Sequence, residues 1–226
     1  VKDSRAGSIL LGVAVALLTA GSARAQSNRV FVSARSGSDL NSCNNINTPC
    51  QSFQGAVNQV AAGGTVIVLD TGGYGPVTIG KSLTIDSTPG IVAFIHPPTG
   101  NAITINAGAS DTIVLRSLSL NVGTNIGILV NTAGAVHVEG CAINGFSVEG
   151  LLFLAPGGQL FVKDTTFSNN GGSGVNVDPA SGGANATFDR CRFEENGNVL
   201  LNGALTAGAG TNVTVRDSVA SGNFRG

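Results

Sequence analysis

Ala135-Val-His-Val-Glu-Gly-Cys-Ala-Ile143, Gln159-Leu-Phe-Val-Lys-Asp-Thr-Thr-Phe167, Asn185-Ala-Thr-Phe-Asp-Arg-Cys-Arg-Phe193 and Asn212-Val-Thr-Val-Arg-Asp-Ser-Val-Ala220 repeat one phrase. After its first residue, each runs apolar, any, apolar, charged, any, small, any, apolar. Thr112-Ile-Val-Leu-Arg-Ser-Leu-Ser-Leu120 is a looser, earlier copy. The steps from Val136 to Leu160, Ala186 and Val213 are 24, 26 and 27 residues, a spacing that belongs to solenoids. Within the phrase, apolar and polar residues alternate at period two, which is a strand signal. A second strand-like run separates the copies: Ala102-Ile-Thr-Ile, Gly127-Ile-Leu-Val, Gly150-Leu-Leu-Phe and Gly174-Val-Asn-Val. Turn-rich stretches such as Asn169-Asn-Gly-Gly-Ser-Gly174 and Pro179-Ala-Ser-Gly-Gly183 lie between. No segment here is long enough for a crossover helix. Each coil therefore holds two or three short strands, and the coils stack in parallel at about 4.8 Å. The expected fold class is all-β, a parallel β-helix.

The phrase also fixes a register. Val136 and Val138 point inward, His137 and Glu139 outward, and Cys141 and Ile143 inward again after a bend. One inward slot then holds Cys141, Thr165, Cys191 and Ser218 in successive coils. One outward column holds Arg116, Glu139, Lys163, Asp189 and Arg216, so that neighbouring charges alternate in sign across strand pairs. Asn170, Asn196 and Asn223 share a turn position and are expected to hydrogen-bond as a ladder.

Composition agrees with a narrow stacked core. Glycine accounts for 33 of 226 residues, aromatics for 5% and charged residues for 11%, the last well below the roughly 25% of an average domain. At the N-terminus, Lys2 and Arg5 precede the apolar run Ile9 to Leu18, and Ala23-Arg24-Ala25 has the small-any-small form of a cleavage site. Residues 1–25 are expected to be a signal peptide. The run is short for a membrane span of about 20 residues, so no stable membrane insertion is expected. The protein is expected to be secreted or periplasmic. From Gln26 onward the chain carries nine basic and twelve acidic residues, a net charge of −3. With no basic run, nucleic acid and anionic membrane are not expected partners.

Cys43 and Cys50 flank a short Asn-rich loop and are expected to form a disulfide. Cys141 and Cys191 lie two coils apart in one slot, roughly 9.6 Å by strand spacing, beyond the reach of a disulfide. They read as buried core thiols. Residues 26–63 form a different unit: a strand at Val30-Phe-Val32, the disulfide loop, and a capping helix. Thr48-Pro-Cys-Gln51 has the form of a capping box with proline at the first helical position. Phe53, Ala56, Val57, Val60 and Ala61 follow at helical spacing, and Gly63-Gly64 is expected to end the helix. Such a helix covers the otherwise open end of a solenoid. Coils occupy 64–226. The sequence stops at Gly226, just past the Asn223 turn, which suggests a longer protein or a partner at that end.

Few motifs carry chemistry. Gly75-Pro-Val-Thr-Ile-Gly-Lys-Ser82 satisfies the phosphate-loop pattern, but both Val77-Thr-Ile79 and Leu83-Thr-Ile85 read as strands, so the helix that the loop must open is missing. Nucleotide binding is not expected. Glu139 and Asp189 share a column two coils apart, near the separation of inverting glycosidase carboxylates, yet Lys163 between them makes a sign-alternating ladder the simpler reading. His137 reads as a surface histidine, with a general base as the sharper alternative. Arg190 and Arg192 form either a local ion-pair cluster with Asp189 or a contact for a uronate. Glu194-Glu195, followed by Asn196-Gly197, is expected to be a solvated turn, with a cation contact as the alternative. No metal or other cofactor is expected.

Phe31-Val-Ser with Gly37-Ser-Asp39, Thr48-Pro-Cys-Gln-Ser-Phe53, Gly64-Thr-Val-Ile-Val68 and Lys81-Ser-Leu-Thr-Ile85 together resemble the start of secreted right-handed parallel β-helix proteins of the pectate-lyase-like, or pectin lyase fold, superfamily. The Phe-x-x-Asn repeats Phe167 to Asn170 and Phe193 to Asn196 are similar to its later coils. The resemblance covers residues 29–224 and implies a right-handed β-helix. The superfamily ranges from polysaccharide lyases and hydrolases to short secreted proteins of Gram-negative bacteria with no assigned activity, and this chain is most similar to the last group. Neither a lyase-type acidic cluster nor a paired-Asp hydrolase motif appears, so no catalytic residue is carried over. The expected function is a non-catalytic module that contacts polysaccharide or cell-surface glycan; the alternative is a polysaccharide lyase or glycoside hydrolase acting on an acidic polysaccharide. The candidate contacts are Arg116, His137, Glu139, Lys163, Asp189, Arg192 and Arg216.

Overall fold

A computed structural model describes residues 26–197 and 203–225. The expected signal peptide, residues 1–25, lies outside the described residues. No helix among the described residues is long and apolar enough to cross a membrane.

The chain winds through three parallel sheets in turn. The first sheet has eight strands, from Ser27–Val32 and Val60–Val68 through Ala135–Glu139, Gln159–Lys163 and Ala184–Asp189 to Thr211–Arg216. The second has seven, from Gly72–Gly73 to Val219–Ser221, and the third six, from Val77–Ile79 to Leu205–Ala207. Six successive coils thus have three strands each, preceded by the single strand Ser27–Val32 and followed by the pair Thr211–Arg216 and Val219–Ser221. The repeated phrase supplies the first two, and the run between copies supplies the third.

The register follows the alternation. Val136 pairs with Leu160, Leu160 with Ala186 and Ala186 with Val213. Val136, Val138, Leu160, Val162, Ala186 and Phe188 are buried, while the residues between them reach the surface. Phe167 and Phe193 stack inside the solenoid with centroids 5.5 Å apart.

Between the first and second sheets the chain turns through one left-handed residue, successively Ser117, Gly140, Asp164, Arg190 and Asp217. Only Gly140 adopts this backbone without a steric cost; of the other four, Asp164 and Asp217 are of the type that tolerates it. The next inward slot explains its own composition. The Thr165 hydroxyl accepts from the Cys141 N–H at 3.3 Å, and the Ser218 hydroxyl from the Cys191 N–H at 3.0 Å. A small polar atom at this bend satisfies an amide of the preceding coil that the sheets do not pair.

The asparagine ladder forms as read. Asn170 Nδ2 donates to Asn196 Oδ1 at 2.8 Å, and Asn196 Nδ2 to Asn223 Oδ1 at 2.9 Å. Asn196 Nδ2 also donates to the Phe167 carbonyl at 2.9 Å. Asn170 and Asn196 are buried.

A helix caps the first coil but starts later than the capping-box pattern predicts. It spans Phe53–Gln59, and its N-cap is Ser52, whose side chain accepts from the Gly55 N–H. Thr48 and Gln51 are bends, and between them Cys50 bridges Val32 in parallel, its N–H donating to the Phe31 carbonyl. Strand pairing and the Cys43–Cys50 disulfide, with Cα atoms 5.1 Å apart, outcompete helix there. Asp39 takes the role of the N-terminal carboxylate, accepting from the Gln51 and Ser52 amides and the Ser52 hydroxyl. Gly63-Gly64 does not end the helix. Val60 is already extended, and both glycines lie in the strand Val60–Val68. Phe53, Ala56 and Val57 are buried beneath the helix, with Phe53 packed 4.8 Å from the Tyr74 ring.

Candidate functional site

The outward column of the first sheet is a continuous register row: Asp86, Arg116, Glu139, Lys163, Asp189 and Arg216. Asp86 extends the sequence reading by one coil. Arg116 Nε meets Glu139 Oε2 at 2.8 Å, and Asp189 Oδ2 lies 3.0 Å from Arg190 Nη1 and 3.7 Å from Arg216 Nη2. Arg190, at the left-handed corner, also grips Asp164 at 2.7 Å. Among the described residues no carboxylate lies within ion-pair distance of Lys163. Lys163 is exposed and stands between Glu139 and Asp189 in register.

A second column runs beside this one, two residues earlier on each strand: Val114, His137, Phe161, Thr187 and Thr214. His137 and Phe161 stack with centroids 4.7 Å apart and planes 19° from parallel. His137 Nδ1 lies 3.9 Å from Glu139 Oε1. Together the columns line a shallow cleft of about 170 Å³ formed by His137, Glu139, Phe161, Lys163, Thr187, Asp189 and Arg216, with Val162 at its floor.

Five of the seven candidates therefore converge on this cleft, and Arg116 adjoins it through Glu139. Arg192 does not. It lies on the second sheet, past the corner, where its guanidinium pairs with Glu194. Of Arg190 and Arg192, it is Arg190 that reaches Asp189. Phe161 was missed as a site residue, although period-two alternation already places it outward between buried Leu160 and Val162.

Other candidates resolve into structure. Lys81 Nζ donates to the Val60 carbonyl, and Ser82 Oγ donates to Asp111 Oδ1 at 2.6 Å. The Ser82 hydroxyl, then the Gly108 amide, hold the Asp111 carboxyl below its ordinary range. The phosphate-loop look-alike thus joins two strands, Val77–Ile79 and Leu83–Ser87. Cys141 is buried, and burial pushes its thiol up to about 12; a nucleophile needs the opposite. Burial also raises the Cys191 thiol. A larger polar cleft, about 510 Å³, opens between Ser168, Asn169, Glu194, Glu195, Ser221 and Gly222. No group of three or more His, Cys, Asp or Glu is placed to hold a metal ion among the described residues.

Comparison with known proteins bears on the fold. Residues 58–226 match the sequence model of a family described as the right handed beta helix region. The crystal structure of pectate lyase Pel9A is similar over 87% of this chain and 79% of that one, at 11% identity and a TM-score of 0.35. No curated protein matches the sequence.

Proposed function

This chain belongs to the right-handed β-helix family, and on that premise we propose that it is an exported, non-catalytic module that contacts a glycan through the outward face of its first sheet. The observation that carries the reading is the cleft at His137 and Phe161. An apolar ring lies among side chains that donate and accept hydrogen bonds, as recognition of a sugar requires: one face of a sugar ring is apolar and its rim is polar. Glu139 and Asp189 each meet arginine through one carboxylate oxygen, and Lys163 stands between them in register, the arrangement of a charge ladder rather than of a carboxylate pair facing one glycosidic bond. Export is supported by the Ala23-Arg24-Ala25 pattern and is in keeping with the Cys43–Cys50 disulfide.

The full chain should be run through gels containing individual polysaccharides, and the same mixtures analysed by mass spectrometry. Retardation by at least one glycan, with the glycan intact, is the expected result. Shortened or unsaturated products would overturn the non-catalytic reading in favour of a lyase or hydrolase. Unretarded migration through every glycan would overturn glycan contact itself.

A further inference from the structure

The cleft holds an interrupted stack. In-register parallel strands place equivalent side chains one above another at about 4.8 Å, and His137 and Phe161 fill two consecutive steps with rings 4.7 Å apart. The next two steps, Thr187 and Thr214, are short. One face of Phe161 is covered by His137. The other overlooks Thr187, and there the cleft opens. A ring lying over Thr187 would continue the stack at the spacing the solenoid sets.

The surroundings of that step select the kind of ring. Lys163 and Arg216 bring two positive charges, Glu139 and Asp189 two negative ones, and all four line the cleft. The row as a whole, Asp86 to Arg216, is likewise balanced, three against three. Such a site offers alternating donors and acceptors with no net field. It suits hydroxyl groups, which use both, and gives a polyanion nothing to gain over solvent and counterions. The described chain as a whole is mildly acidic, which adds a small repulsion.

We infer that the cleft is a slot for one uncharged pyranose unit of a neutral glycan, its apolar face on the free face of Phe161 over Thr187 and its hydroxyls toward Lys163, Asp189 and Arg216. The inference rests on the proposed glycan contact and narrows it to a neutral ligand and a single stacking position. The volume, about 170 Å³, accommodates one sugar ring and not several.

The test is affinity electrophoresis of the full chain with a soluble glucan, a galactan and a mannan on one side and polygalacturonate and alginate on the other, at low and high salt. Thr187→Phe and Phe161→Ala are run alongside the wild type, with melting curves for each. Retention by at least one neutral glycan, little changed by salt, is expected. Thr187→Phe fills the vacant step and Phe161→Ala removes the platform, so each is expected to weaken retention roughly tenfold or more, the scale of one lost ring contact. Both side chains face outward and are only half-buried, so both variants are expected to stay folded at the assay temperature, Phe161→Ala with a small loss of stability from the lost stack on His137. Should Thr187→Phe misfold, Phe161→Ala carries the test. Retention by the acidic polymers alone, lost at high salt, would overturn the inference and leave glycan contact standing. Absence of retention by any polymer would remove both. Neutral binding that is indifferent to both substitutions would overturn the slot.

Discussion

Two ladders run along this solenoid, one inside and one outside. Asn170, Asn196 and Asn223 form the inner one, and Asp86, Arg116, Glu139, Lys163, Asp189 and Arg216 the outer. Both repeat one chemical role at the coil spacing, and both look equally regular in the sequence. Their energetics differ because of water. Inside, each amide bonds backbone groups and the next asparagine, and Asn170 and Asn196 do so away from water, so removing one leaves buried partners unpaired. Outside, each ion pair is exchanged for hydration at little cost. The inner ladder holds the coils together; the outer leaves its groups available to a ligand.

The contrast is tested hardest by Asn196→Ala. Asn196 is fully buried; its side chain accepts from the Asn170 amide and side chain and donates to Phe167 and Asn223. Truncation orphans several groups at once and is expected to cost about 3–4 kcal/mol, measured by urea denaturation followed by circular dichroism. A cost under about 1 kcal/mol would mean that water enters the turn and that the inner ladder is no more structural than the outer one.

Glu149 offers an intermediate test, since it is a carboxylate on the inner side of the divide. It is only 8% exposed. Burial pushes its carboxyl above the ordinary range, against the opposing bonds from its own amide and from Asn176. The native state therefore binds this proton more tightly than the unfolded chain does. Its destabilising effect is absent at pH values below the unfolded carboxyl's, grows as the pH rises from there, and is complete once the pH has passed through the folded one. Glu149→Gln is expected to raise the urea midpoint at neutral pH and to leave it unchanged near pH 4, about the ordinary carboxyl value. Asp70 titrates with the opposite sign: burial raises it, but bonds from Ser33, Tyr74 and the Ala34 and Arg35 amides outweigh this and hold it low. The difference between variant and wild type across pH isolates Glu149. Equal midpoints at neutral pH would place its carboxylate in effective contact with water.

How much of this was legible in the sequence depends on which interactions were local or periodic. The phrase around Val136 gave the first two strands of each coil, their register and both ladders, because a repeat states its stacking partner outright. The helix start was not legible. Thr48-Pro-Cys-Gln51 satisfies a local rule, but Cys50 is claimed by Val32, and Asp39, far back in the loop, supplies the carboxylate. The left-handed corner was hidden because Asp164, Arg190 and Asp217 occupy it as well as Gly140. That corner in turn sends Arg192 to the second sheet and Arg190 to Asp189. Phe161 was legible as an outward residue and illegible as a platform, since stacking on His137 depends on side-chain rotamers that no spacing specifies.

The outer ladder supplies the smaller effects. Lys163→Glu would put three carboxylates in consecutive register positions, with Glu139 above and Asp189 below. Like charges directly opposite repel, and a loss of about 1 kcal/mol is expected, diminishing as salt is added. A loss that salt does not relieve would point to packing rather than charge.

Glu139→Gln is expected to matter least. Its bond to Arg116 is short, at 2.8 Å, yet the two side chains are 34% and 44% exposed. Amide for carboxylate keeps the shape and an acceptor while removing the charge, so the loss is expected to be about 0.5 kcal/mol or less by urea denaturation. Arg116 would then have Asp86, its other neighbour in the row, as the nearest acidic partner. A loss of several kcal/mol instead would make the outer ladder as structural as the asparagines. The groups along the cleft would then be bound up in holding the coils, with little left to offer a ligand, and the division of labour between inside and outside would fail where it is needed most.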